Sequence, residues 1–305
     1  MRKDKSIGFS NHESERTYKN KYNSMLNLWP DYTQRNIETP QGTSHVLVCG
    51  PKEGSPLILL HGRYTPSVSW TPMITELAKY HRIYAVDTMG EPGMSVSNGF
   101  PLRSAKDYVG WLSATLEGLK LDSVHIAAHS FSGWYATHFA LDFPERIKTL
   151  TLLDPAQVFA QFSLRWLIHC LPPYLLPSER IVHPFFYWMM QGNKTDPDLL
   201  ELLTIGMTSY RANKEEASLI SDAKLSSLIV PTQQILAGDT VVHRVAKAKK
   251  RAKSLTPHVQ TAIIHECSHM IQTDQPKIAV KLILKFTHKE NENGTLPVKL
   301  TVGTK

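Results

Sequence analysis

The sequence predicts an α/β fold: a mostly parallel central sheet flanked by helices, with a helical cap inserted after the sixth strand. Three observations carry this reading. Short continuous apolar runs recur along the chain with helical patterns between them, as expected of strands buried on both faces of a sheet. The rhythm breaks after Asp154, and from Ala156 to about Ser226 no strand pattern is evident. The chain of 305 residues is long enough for one large α/β domain that carries an insertion.

The strands follow in order. Val46-Leu47-Val48 is a candidate, then Leu57 to Leu60 between Pro56 and Gly62, and Ile83 to Val86 ending at Asp87. Val124 to Ala128, Leu150 to Leu153, Ile229 to Leu236 and Thr261 to Ile264 complete the set. In the insertion, Ser178 and the pair Asp196-Pro197 read as helix starts, a polar cap in each case and a proline suited to the first turn in the second. These boundaries give a discontinuous core, 1–155 and 227–288, a helical cap, 156–226, and a polar tail, 289–305. The first dozen or so residues are polar and read as a loose N-terminal extension.

Composition is that of a soluble globular protein, with 42% hydrophobic and 20% charged residues. The net charge of +7 is compatible with nucleic acid or an anionic membrane surface as partner. Much of the excess sits in His243 to Lys253, HRVAKAKKRAK, which reads as a solvated surface helix; no nucleic-acid motif accompanies it. Cys49, Cys170 and Cys267 make neither a disulfide framework nor a metal-ligand spacing, so no metal is expected. No stretch has the length and apolarity of a membrane span; Trp166 to Leu176 comes nearest and holds Pro172 and Pro173. The polar N-terminus lacks a secretory signal's apolar core. A reducing, cytoplasmic setting is the expectation.

Chemistry concentrates at three points. Ala128-His129-Ser130-Phe131-Ser132-Gly133 follows a buried strand and precedes the helical pattern Trp134 to Asp142. A serine on such a sharp strand-to-helix turn has its hydroxyl raised above the sheet, the nucleophile elbow usually written G-x-S-x-G. Ala128 and Ser132 stand where that pattern has glycine; both are small, and Gly133 follows. His61-Gly62 directly succeeds another buried strand. Cys267-Ser268-His269 lies beyond the last strand, before the helix opening at Gln275-Pro276, and puts a histidine where a general base could draw the serine proton.

The order of these signals resembles the α/β-hydrolase superfamily from about Pro40 to Thr287. Asp87-Thr88-Met89-Gly90 with Gly93 and Ser95, and Phe143-Pro144-Glu145-Arg146-Ile147, are similar to loops of that superfamily. Asn27-Leu28-Trp29-Pro30, Tyr84-Ala85-Val86-Asp87 and Trp188-Met189-Met190 resemble bacterial carboxylesterases of the naproxen-esterase type. The resemblance implies a cofactor-free serine esterase acting on a small hydrophobic ester; the alternatives are a thioesterase, lactonase or biosynthetic tailoring enzyme on the same scaffold, or a non-catalytic hydrolase-like binding protein. It implies Ser130 as nucleophile, His269 as base, and the backbone amides of Arg63 and Phe131 as the oxyanion hole. Phe159, Phe162, Trp166, Phe185, Trp188 and Met189 are the candidate pocket walls within the cap.

The triad acid has two candidates. The resemblance places it in the loop after the strand ending at Leu236, usually Gly-x-x-Asp, which here reads Ala237-Gly238-Asp239-Thr240. Thr240 occupies the expected acid position, and Asp239 stands one residue early. Asp154, in Leu153-Asp154-Pro155, is the alternative, since some members of the fold supply the acid from that strand end. Asp239 is the preferred reading because its loop is the commoner source.

Overall fold

The computed structural model describes residues 7–193, 196–213 and 217–291. After a two-residue strand, β1 (Gly8–Phe9), comes helix α1 (His12–Leu26), and the antiparallel pair β2 (Tyr32–Thr39) and β3 (Gly42–Cys49). Alternation then sets in: β4 (Ser55–Leu60), α2 (Thr71–Leu77), β5 (His81–Val86), the short β6 (Val96–Ser97), α3 (Ala105–Gly118), β7 (Val124–His129), α4 (Phe131–Asp142) and β8 (Ile147–Leu153). The segment that follows is helical, with α5 (Leu164–Leu175), α6 (Glu179–Met189), α7 (Pro197–Ser209), the two-residue β9 (Tyr210–Arg211) and α8 (Asp222–Ser226). The core resumes with β10 (Thr232–Ala237), α9 (Val245–Leu255), β11 (Gln260–Ile264), α10 (Ile271–Asp274) and α11 (Pro276–Asn291).

The main sheet runs β11-β10-β8-β7-β4-β5-β3-β2, with β6 on the edge of β3. The strands from β11 to β5 are parallel, and β3 and β2 are antiparallel to their neighbours. Both faces are covered, and the period of two along a strand sorts the side chains between them. On β4, Leu57 and Leu59 join α1, α2, α11 and the cap helices in one buried cluster, whereas Ile58 and Leu60 join α3, α4 and α9 in the other. That double burial is why these strands read as continuous apolar runs. The strand expected from Ile229 begins at Thr232: Pro231 has no amide to donate, and Ile229 is 74% exposed.

Residues 1–6 of the extension read as loose lie outside the described residues, and from Gly8 on the chain departs from that reading. Asn11 caps α1 by accepting from the Ser14 amide at 2.8 Å. Tyr18, Tyr22, Met25 and Leu26 form a buried stripe at i, i+4, i+7 and i+8 in an otherwise polar helix. β1 pairs antiparallel with β9 inside the insertion, and Lys21 bonds Asp198 and Glu201 on α7 at 3.2 and 2.6 Å. The extension is thus a strap across the base of the cap. The basic segment forms α9 as expected, with Ala248 and Ala252 inward. Arg251 is the exception on its polar face: it bonds Asp222 and the carbonyls of Val158 and Ile220. Of the predicted tail 289–305, α11 takes up the first part, and residues 292–305 lie outside the described residues.

Candidate active site

Sheet order assembles the site. β7, β8 and β4 are neighbours, so the residues just past their carboxyl ends converge. Ser130 follows β7 directly, with φ 55° and ψ −117°, and its amide donates to the Leu153 carbonyl at 2.9 Å. A non-glycine residue in such a region costs about 1–3 kcal/mol and is kept only where surroundings over-determine it. Here the next turns do so. Ser132 Oγ donates to the carbonyls of Leu60 and His129 at 2.7 and 2.9 Å, which fixes the first turn of α4 against β4. The closest approaches fall elsewhere than the two positions of the usual motif. A Cβ on Gly133 would meet Pro155 Cβ at 2.9 Å, and one on Gly62 would meet His129 Nδ1 at 2.8 Å and Ser130 Cβ at 3.3 Å. Ala128 and Ser132 are therefore compatible with the turn.

His269 reaches back over the sheet from the loop after β11. Its Nε2 stands 2.7 Å from Ser130 Oγ and its Nδ1 2.6 Å from Asp154 Oδ2. The carboxylate fixes the tautomer, with Nδ1–H donated to Asp154 and Nε2 free to accept the serine proton. His269 and Asp154 are buried and Ser130 half-buried.

The partner of His269 is thus Asp154, and the preference for Asp239 is corrected. β8 lies beside β7, and β10 is one strand further away. Asp239 is exposed, and its amide donates to the Cys267 carbonyl at 3.0 Å. The loop in which an acid was expected instead holds the acid of β8. The Ala237 amide donates to Asp154 Oδ1 at 3.1 Å, and Thr240 Oγ1, at the expected acid position, donates to Oδ2 at 2.6 Å.

A second histidine, missed in the sequence, faces the same carboxylate. His243 Nε2 is buried 3.1 Å from Asp154 Oδ1, at an angle short of hydrogen bonding. Burial opposes ionisation of Asp154, but His243 and His269 outweigh it and hold the carboxyl well below its usual range. Burial likewise opposes a charge on His243, yet Asp154 raises its pKa above the ordinary histidine value. The bridge Phe162↔His243 brings the cap's entry strand to this point. A lone histidine beside a basic run gave no sequence signal for such a role.

Two further histidines are neutral supports. Burial first, and His269 next, lower His129 to about 3. Its Nε2–H donates to the His269 carbonyl at 2.9 Å, and its Nδ1 accepts from Gln272 Nε2 at 3.3 Å. His61 is lowered by burial; it accepts from the Thr88 amide at 2.9 Å and donates from Nδ1 to the Gly62 carbonyl at 2.9 Å. Gly62, between that carbonyl bond and the elbow, sets the path of the chain into Arg63.

Arg63 and Phe131 lie together, the guanidinium carbon 4.1 Å above the phenyl centroid. Arg63 also donates to the Asn213 carbonyl at 3.2 Å and lies 3.9 Å from buried Glu91. Of the candidate wall residues, Trp166 lies against His269, its ring 6.2 Å from the imidazole. Phe162, Phe185 and Trp188 pack around Trp166 at 5.5–6.3 Å, and Met189 is buried in the same cluster as Phe185. Phe159 is fully buried in the other cluster, with α4 and α9, and lines a cleft beside α9 together with Phe162.

Known proteins resemble this chain in sequence and in fold. Residues 57–281 match the model of the alpha/beta hydrolase family. The chain is 28% identical over 282 residues to a Bacillus subtilis protein described as "Uncharacterized carboxylesterase nap", covering 90% of this chain and 93% of the relative. It is 24% identical to carboxylesterase YbfK of the same organism, covering 92% and 97%. The crystal structure of naproxen esterase from Bacillus subtilis superposes with a TM-score of 0.84 at 27% identity, over 91% of this chain and 99% of that one. That of carboxylesterase CesB (YbfK) gives 0.85 at 25% identity, over 90% and 98%. By the family match over most of its length, the chain belongs to the alpha/beta hydrolase family.

Proposed function

We propose that this protein hydrolyses carboxylic esters through an acyl-enzyme on Ser130. The observation that carries the reading is the continuous relay from Ser130 Oγ through His269 to Asp154, with links of 2.7 and 2.6 Å. The carboxylesterase names of its relatives support the substrate class.

Ser130 Oγ attacks the ester carbonyl as His269 Nε2 takes its proton. Asp154 holds the imidazole and stabilises the imidazolium that forms. The oxyanion is received by the amides of Arg63 and Phe131, a residue of the β4 loop and the residue after the nucleophile; two fixed donors are worth several kcal/mol in the transition state. His269 then protonates the departing alcohol. Water, deprotonated by the same nitrogen, cleaves the acyl-enzyme and returns the proton to Ser130. The aromatic cluster around Trp166 supports a hydrophobic acyl or alcohol group, because ligand pockets are mostly apolar with few polar groups.

A fluorophosphonate probe followed by peptide mass spectrometry tests the nucleophile. Label on Ser130, lost in Ser130→Ala together with hydrolysis of short p-nitrophenyl esters, is the expected result. Wild-type turnover by Ser130→Ala would contradict the mechanism.

A further inference from the structure

Helix α5 is apolar on both sides, yet among the described residues only one side is covered. Its strongly polar residues are Arg165 and His169 alone. Trp166, Cys170 and Pro173, at i, i+4 and i+7, turn toward the cap interior. Leu164, Leu167, Ile168, Leu171 and Leu175, at i, i+3, i+4, i+7 and i+11, face outward and are 48–72% exposed. A helix that is apolar all round is ordinarily buried, in a protein core or in lipid. Single exposed leucines are unremarkable, but a continuous stripe marks an interaction surface.

A cleft of about 530 Å³ opens beside the first turn of this stripe, lined by Leu164, Phe162 and Leu255 together with Arg244, Lys247 and Lys250. The two helices are held in register. The Ser163 amide and Oγ donate to the Val242 and Val241 carbonyls at 2.8 and 2.6 Å, fixing the start of α5 to the approach to α9. Helix α9 contains no acid, and Lys249 and Lys253 are exposed on it as well. Asp222, the acid of the cleft, is already engaged by Arg251 at 2.6 Å.

We propose that this face docks the protein on an anionic lipid surface. The α5 leucines enter the boundary between headgroups and acyl chains, and the cations of α9 meet the lipid phosphates. An in-plane apolar helix flanked by cations is the arrangement of a peripheral membrane anchor. Among the described residues no helix is long and apolar enough to cross a bilayer, so the contact is superficial. Charge selects the occupant: a second copy docked through the same stripe would bring two cationic α9 helices together, whereas anionic lipid neutralises both. This docking does not depend on the ester chemistry.

Co-sedimentation of the full chain with vesicles tests it. Binding to equal parts phosphatidylcholine and phosphatidylglycerol, little to phosphatidylcholine alone, and weakening as salt shortens the screening length are expected. A lysine near an anionic surface contributes about 1 kcal/mol, so Lys247→Ala with Lys250→Ala should lower partitioning at least about tenfold. Leu167→Ser with Leu171→Ser should lower it to a similar degree. All four positions are exposed, so melting temperature and turnover of a dissolved short-chain ester should hold in both variants. Failure to bind the mixed vesicles, equal binding to neutral ones, or binding untouched by either variant would overturn the proposal. So would a dimer in solution that the leucine variant dissociates, which would assign the face to a second copy.

Discussion

Asp154 is shared by two buried histidines, and the sharing makes stability depend on pH. His243 is raised above its ordinary value, so its attraction to Asp154 is fully present below about pH 6.5 and is lost as pH rises through the raised pKa. The lowered Asp154 has the opposite sign: its contribution is present above about pH 3.9 and fades only in strong acid, as pH falls through its depressed pKa. The window in which both hold is mildly acidic. Without His243, Asp154 keeps its bonds to His269, Thr240 and the Ala237 amide, so the cost stays below the roughly 3–5 kcal/mol of an uncompensated buried charge. His243→Gln is therefore expected to depress the melting temperature by several degrees near pH 5, and by progressively less toward alkaline pH. Thermal unfolding across that range checks it; a deficit independent of pH would mean that His243 acts by packing alone.

Two elements carry consequences beyond the relay. Helix α1 reaches the sheet through Tyr22, whose hydroxyl donates to Asp87 Oδ2 at 2.9 Å. Asp87 also accepts from the Ser67 and Met94 amides and lies 3.2 Å from His45 Nδ1; burial resists its charge, but His45 first, then His61 and the Ser67 amide, lower it to about 2. Hydrogen bonds to buried charges contribute about 1.5–3 kcal/mol, so Tyr22→Phe should cost roughly that in urea unfolding while its ring still packs. No loss would show the strap to be held by apolar contact only. In the cap, Trp166 stands against His269, whereas Trp188 is stacked on His169 at 4.1 Å. Trp166→Ala should shift acyl-chain preference among p-nitrophenyl esters more than Trp188→Ala, and the reverse ranking would move the pocket outward. The strands were legible because their apolar runs are continuous. Helix α1 was not, because four buried side chains are spread through a polar segment and the signal lies only in their spacing. The start of β10 was misread because Ile229 and Val230 extend its apolar run past Pro231.

At the scale of the whole molecule, the strand order decides which groups meet. Ser130 and His269 were readable from local text, a turn after a buried strand and a histidine after the last one. The acid was not, because the choice between Asp154 and Asp239 rests on which strand lies beside β7, and neighbour order is set by long-range pairing. The positive surface is separate from this centre. Reversing Lys249 and Lys250 to Glu should leave turnover of a neutral, dissolved ester within a factor of about two, since exposed substitutions away from the site matter little. A larger loss in steady-state assays would tie α9 to substrate handling. The relay itself is tested most directly by kcat for a short p-nitrophenyl ester in Asp154→Asn and Asp239→Asn, with folding confirmed for both. An amide cannot hold the imidazole in its reactive tautomer, so Asp154→Asn is expected to lose about a hundredfold or more while Asp239→Asn stays near wild type; the opposite pattern would contradict Asp154 as the partner of His269.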